Sequence, residues 1–156
     1  MKSLVVFYSR TGRTKKVGEL ISSKLNCEFE EIIDTVKRTG FIIGFLKSGY
    51  AAVKEKLTII EKIQKDPESY DLIILGSPIW ASRMTPAVRT YIEHNKSKFK
   101  NVAFFCTEGG NKGFKAFESM EILCEKKPLS TLEINQKEIK TGTHIDKINL
   151  FAQKLT

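Results

Sequence analysis

The chain lacks any C-x-x-C pair, and its three cysteines, Cys27, Cys106 and Cys124, stand far apart. That spacing and odd count exclude a disulfide framework and a thiolate zinc site, leaving reduced thiols that serve as small apolar residues. No apolar run is long enough to cross a bilayer, and Met1-Lys2-Ser3 enters a strand-like run without a signal-peptide cleavage pattern. A cytoplasmic protein without a transmembrane segment is therefore expected. Neither G-x-x-x-x-G-K-[ST] nor G-x-G-x-x-G occurs, which removes the usual loops for a triphosphate and for a dinucleotide. The only histidines, His94 and His144, fall on expected helix surfaces or ends without a paired carboxylate or ligand spacing, so they carry no role and no metal is expected. Internal repeats and low-complexity tails are absent as well.

What is present fits one folded domain over residues 1–156, with 41% hydrophobic residues to build its core. Lys and Arg outnumber Asp and Glu by 26 to 18, a formal charge of +8 that favours anionic partners. The basic residues are scattered rather than gathered with aromatics in one stretch, so nucleic acid is not the expected partner.

Five short apolar runs read as strands: Ser3–Tyr8, Glu28–Ile33, Asp71–Leu75, Val102–Cys106 and Leu129–Ile134. Helical patterns separate them. Val17, Leu20, Ile21 and Leu25 share one face of a helix opened by Thr11 or Gly12. Pro86 suits the first turn of a helix that presents Val88, Tyr91 and Ile92. Phe114, Phe117, Met120 and Cys124 form a third stripe, and Ile145, Ile148, Ala152 and Leu155 a last one, with Thr143 and Asp146 spaced as its capping box. Strands alternating with helices imply a parallel sheet covered on both faces. Five strands fit the order 2-1-3-4-5, with a ligand crevice where that order reverses, between the first and third strands.

Three turns converge on that edge. Ser9-Arg10-Thr11-Gly12-Arg13-Thr14 follows the first strand and offers hydroxyls, backbone N–H groups, a helix N-terminus and two guanidiniums, as one phosphate requires. Ser and Thr there also suit plain helix capping. Gly76-Ser77-Pro78-Ile79-Trp80 follows the third strand and carries the only tryptophan, a large face for a flat ring. Thr107-Glu108-Gly109-Gly110 follows the fourth strand and lets backbone approach the ring or its polar edge. Glu108 itself reads as a solvated acid of a Gly-rich loop. One phosphate and one flat ring together describe flavin mononucleotide (FMN).

These turns resemble those of a known family. Ser9–Thr14 resembles the phosphate loop of flavodoxins. Gly76–Trp80, continuing to Thr85-Pro86-Ala87-Val88-Arg89, resembles their second flavin loop, and Thr107–Gly110 resembles the third. The resemblance covers nearly the whole chain and is of the short-chain type. It implies a flavodoxin-like three-layer α/β sandwich that holds FMN noncovalently and carries electrons. It implies Ser9, Arg10, Thr11, Gly12, Arg13 and Thr14 near the phosphate. Ser77, Pro78, Ile79, Trp80, Thr107, Glu108, Gly109 and Gly110 would lie near the ribityl chain and ring. Three features depart from the family pattern: Arg13 where Asn is frequent, a basic rather than acidic chain, and no aromatic in the third loop. They favour acidic redox partners, such as a ferredoxin or a reductase. They also admit an alternative, an FMN-dependent quinone or NAD(P)H oxidoreductase similar to a protoporphyrinogen oxidase of this fold.

Two further segments bear on function. Phe41–Val53 is more apolar than an ordinary covering helix and reads as core or lid ahead of a membrane-surface contact. Cys106 ends a strand near the expected ring, but Lys112 stands where a phosphatase loop needs arginine, so an inert buried thiol is expected.

Overall fold

The computed structural model describes residues 1–36, 56–110 and 113–156. Their strands are β1 (Ser3–Phe7), β2 (Glu28–Glu31), β3 (Leu72–Pro78), β4 (Asn101–Glu108) and β5 (Thr131–Asn135). Their α-helices are α1 (Arg13–Leu25), α2 (Pro86–Asn95), α3 (Gly113–Cys124), α4 (Gln136–Thr141) and α5 (His144–Gln153). The strands form one sheet in the order β2-β1-β3-β4-β5, and every neighbouring pair is parallel. The apolar segment 41–53 lies outside the described residues. No helix among the described residues is long and apolar enough to cross a membrane.

Strand periodicity divides the core. Leu4 and Val6 of β1, Ile73 and Leu75 of β3, and Val102 and Phe104 of β4 point to the face covered by α2 and α3, where Val88, Tyr91, Ile92 and Met120 meet them. Val5 and Phe7, Leu72 and Ile74, and Ala103 and Phe105 point to the opposite face, against Val17 and Ile21 of α1 and Ile148 and Phe151 of α5. Side chains alternate across a strand, so a continuous apolar run loads both faces and requires both to be covered. β2 is different. Its sequence, Glu-Phe-Glu-Glu, is that of an edge strand with partly solvated carboxylates.

Those carboxylates anchor the edge. Glu28 accepts a hydrogen bond from the Tyr70 hydroxyl at 2.6 Å and pairs with Lys65. Burial, and then the Glu28 carboxylate beside it, raises the Tyr70 hydroxyl from its usual value near 10 to about 12. A hydroxyl held protonated in the folded state contributes stability that is complete below the unfolded pKa and is lost as pH rises through the folded one. Unfolding free energy should therefore fall between pH 10 and 12, and Tyr70→Phe should flatten that limb. Urea unfolding at stepped pH checks it; an unchanged slope in the variant would contradict the assignment.

Several sequence expectations are corrected. β2 stops at Glu31, and β5 begins at Thr131 rather than Leu129. Phe114 is 75% exposed, and the buried line of α3 runs through Ala116, Met120 and Cys124, because Gly113 and Ala116 face the sheet in the first turn, Gly113 close against Cys106 and Glu133. The capping box expected at Thr143 and Asp146 is not made; Thr143 is itself helical and gives no side-chain cap. A box forms instead at Asn135 and Glu138, opening the unanticipated α4. His144, expected at the surface, is buried with Nδ1 3.1 Å from the Glu138 carbonyl oxygen.

Candidate functional site

Register brings the three turns level. Phe7 of β1 lies beside Gly76 of β3, and Gly76 beside Phe105 of β4; two residues on, Pro78 lies beside Thr107. The Tyr8 N–H donates to the Gly76 carbonyl at 3.2 Å, and the Ile79 N–H to the Thr107 carbonyl at 3.0 Å, so each loop leaves the sheet tied to its neighbour. The loops converge at the carboxyl edge, beside the strand pair where connection order reverses.

The first turn closes on itself. The Gly12 N–H donates to Ser9 Oγ at 3.1 Å. Gly12 then caps α1 with φ 87°, a left-handed conformation that glycine adopts without a Cβ penalty. Because the cap is a glycine and no side chain replaces it, the first N–H groups of α1 face outward with the positive end of the helix dipole. Thr14 takes another course. It is buried, and its hydroxyl lies 2.8 Å from that of Thr107, joining the first and third turns.

The second turn presents the aromatic. Trp80 and Arg83 exchange two backbone hydrogen bonds of 3.0 Å around Ala81 and Ser82, whose φ angles are 49° and 64°. Two positive φ angles in a two-residue loop define a type I′ turn, normally built from Asn and Gly. Each non-glycine residue in that region costs about 1–2 kcal/mol. Relieving it with Ser82→Gly should raise Tm by about 1–4 °C; differential scanning calorimetry checks this. The Trp80 ring meets Tyr8 edge-on at 5.8 Å, and the Arg10 guanidinium lies 5.7 Å from its centroid. Ser77 is fully buried behind this turn. Its hydroxyl accepts from the Thr85 N–H at 3.0 Å and lies 2.8 Å from the Pro78 carbonyl, so it shapes the loop rather than facing the cleft.

The resulting cleft has a volume of about 390 Å³, within the range of small-molecule sites. Arg10, Thr11, Arg13 and Thr14 line it from the first turn, Pro78, Ile79 and Trp80 from the second, and Thr107, Glu108 and Gly109 from the third. Ser9, Gly12, Ser77 and Gly110 are not among the lining residues. Gly109 and Gly110 face open space, where a Cβ would meet nothing within 4 Å. Glu108, read from sequence as solvated, is in fact buried. β4 extends to include it, and a residue inside the ladder has less access to water than one in a loop. Cys106 is buried as expected. Loss of solvation, and then the nearby Glu133 and Glu108 carboxylates, push its thiol well above the ordinary range. It has none of the thiolate character a nucleophile needs.

A five-stranded parallel sheet ordered 2-1-3-4-5, flanked by helices on both faces and opening a cleft at its carboxyl edge, defines the flavodoxin-like class. The flavodoxin family model matches residues 2–141, and the chain belongs to that family. Among solved structures, the fold is similar to a Lactobacillus acidophilus flavoprotein in complex with FMN, at 22% identity, TM-score 0.75, and coverage of 91% of this chain and 98% of that one. A candidate flavoprotein from Bacteroides uniformis gives TM-score 0.79 at 20% identity, covering 97% of each chain. Two-electron reduced Megasphaera elsdenii flavodoxin gives 0.61 at 16%, covering 97% of this chain and 98% of that one. A search of curated proteins finds no match.

Proposed function

We propose that this protein holds FMN noncovalently in the cleft and serves as an electron carrier. One observation carries the reading: a side-chain-free helix N-terminus and the Trp80 ring line one cleft of about 390 Å³. The donor set fits the cofactor's two ends. A single phosphate suits the outward N–H groups of α1, the Thr11 hydroxyl and the Arg10 and Arg13 guanidiniums. A flat ring suits the Trp80 face, and the open space over Gly109 and Gly110 lets ligand approach the backbone of the third turn. When bound, FMN supplies the redox chemistry, and the chain supplies binding, orientation and electrostatics.

Each residue then has a definable task. Thr14 and Thr107 hold the first and third turns together through their hydroxyl pair. Ser77 and Thr85 fix the direction in which the second turn leaves β3. The buried Glu108 places a carboxylate on the cleft wall and disfavours additional negative charge beside it. Arg10 and Arg13 at the mouth, on a chain of charge +8, suit an acidic partner such as a ferredoxin or a reductase. No proton transfer by a side chain is required.

Titration of the purified protein into FMN tests this directly. Quenching of flavin fluorescence at micromolar concentration is expected, and its absence would overturn the proposal. Steady oxidation of NAD(P)H by a quinone would replace the carrier with an oxidoreductase of the same fold.

A further inference from the structure

Two hydroxyls on the cleft wall form a pair with one donor to spare. Thr14 and Thr107 are 1% and 4% exposed, both line the cleft, and their oxygens lie 2.8 Å apart. Each hydroxyl has one hydrogen to donate, and its oxygen can also accept. One of the two hydrogens lies between the oxygens. The other meets no acceptor among the described residues. A buried donor left in that state costs free energy until a ligand answers it.

The two partners are held differently. Thr107 lies inside β4, beside Pro78 of β3 and Ile134 of β5, and its carbonyl accepts from the Ile79 N–H at 3.0 Å. The sheet therefore places its hydroxyl. Thr14 stands in the first turn of α1, whose leading N–H groups have no side-chain cap. A helical threonine divides between two χ1 rotamers, because its hydroxyl can turn back to a carbonyl of the preceding turn. Here the Thr14 hydroxyl reaches Thr107 instead, 93 residues away in sequence. The strand residue thus selects the rotamer of the helix residue.

We infer that Thr107 is a positioning residue for the anion end of the cleft: its hydroxyl donates to Thr14 Oγ1 and so frees the Thr14 hydrogen for an oxygen of the phosphate. A hydroxyl that accepts one hydrogen bond donates more strongly in the next. The opposite orientation would spend the Thr14 hydrogen on Thr107 and leave the spare one on the strand rather than at the helix start. A phosphate selects between the two orientations; a ligand without that charge does not. The assignment rests on the reading of the cleft as an FMN site. It makes Thr107 a determinant of preference for FMN over riboflavin, which has the same ring and ribityl chain and no phosphate.

Fluorescence titration of FMN and of riboflavin, at constant ionic strength, tests it on the unmodified protein, Thr107→Val, Thr107→Ser, Thr14→Val and the double valine variant. Thr107→Val keeps a β-branched shape suited to a strand and removes the hydroxyl. It should weaken FMN binding about three- to tenfold, as loss of one hydrogen bond implies, and change riboflavin binding by less than about twofold. Thr107→Ser restores the hydroxyl and should recover the FMN affinity. Because Thr107 acts through Thr14, the double variant should bind FMN about as Thr14→Val does. If circular dichroism shows that Thr107→Val does not fold, Thr107→Ala against Thr107→Ser gives the same comparison. Equal losses for FMN and riboflavin, no recovery in Thr107→Ser, or additive losses in the double variant would overturn the assignment. Failure of the unmodified protein to bind FMN would remove the FMN reading and this assignment with it. FMN binding that Thr107→Val leaves unchanged would remove this assignment alone.

Discussion

Gly76→Val should leave little or no folded protein at 37 °C, and Gly76→Ala should be destabilised by about 1–3 kcal/mol or more. Gly76 lies inside β3, between Phe7 of β1 and Phe105 of β4. A Cβ built there would stand 2.0 Å from Phe105 Cζ and 2.3 Å from Cε1, so the ring occupies the space a side chain would need. Phe105 is fully buried and packs in the core on the α1 and α5 face. It cannot swing aside without disturbing Ile134, Phe151 and their neighbours, because interiors are close-packed. Phe105→Ala alone should cost about 3–5 kcal/mol by leaving a cavity. Combined with Gly76→Ala, it should cost less than the sum, because the added methyl group enters vacated space. Urea unfolding of the four proteins forms a double-mutant cycle. A coupling of about 1 kcal/mol or more is expected; additivity within about 0.5 kcal/mol would show that the ring is not what Gly76 makes room for.

The same residue shows why so much of the site was legible in the sequence. The run Leu72–Leu75 is a strand because its residues are apolar on both faces with β-branched Ile73 and Ile74 at its centre, and Gly76-Ser77-Pro78 follows it as a turn signal would. Structure moves the strand end to Pro78, because parallel pairing with β4 continues through Ser77 and Pro78. That extension explains the reassignment of Ser77. A residue read as a loop hydroxyl facing ligand is instead a fully buried strand residue that anchors Thr85. Glu108 changes for the same reason. Long-range pairing, not local propensity, determines how far each strand runs before its loop begins.

Helix starts were less legible. Thr143 and Asp146 have capping-box spacing, but Asn135 and Glu138 form the box, since the chain turns into α4 directly from β5. Spacing names candidates, and the direction in which the preceding strand exits chooses among them. His144 is buried because α4 folds back over it, an arrangement with no periodic signal.

Trp80→Ala should weaken FMN binding by roughly 5- to 150-fold, the effect of removing one aromatic platform worth about 1–3 kcal/mol. The third turn contains no aromatic, and among the described residues Trp80 is the aromatic that lines this cleft. Trp80→Phe should recover most of the affinity, because a smaller ring still covers part of the same surface. The ring's position is fixed by three features: the edge-on contact with Tyr8, the Arg10 guanidinium above it, and the paired backbone of the Ala81–Ser82 turn. Fluorescence titration of FMN against the three proteins, with circular dichroism to confirm folding, gives the comparison. The phosphate end provides a control of opposite character. Arg13→Ala should weaken binding in a manner that disappears at high salt, since an exposed guanidinium acts through a screened field. The Trp80→Ala loss should persist at every salt concentration. If both losses vanish together at high salt, Trp80 contributes through Arg10 rather than through its face, and the stacking assignment fails.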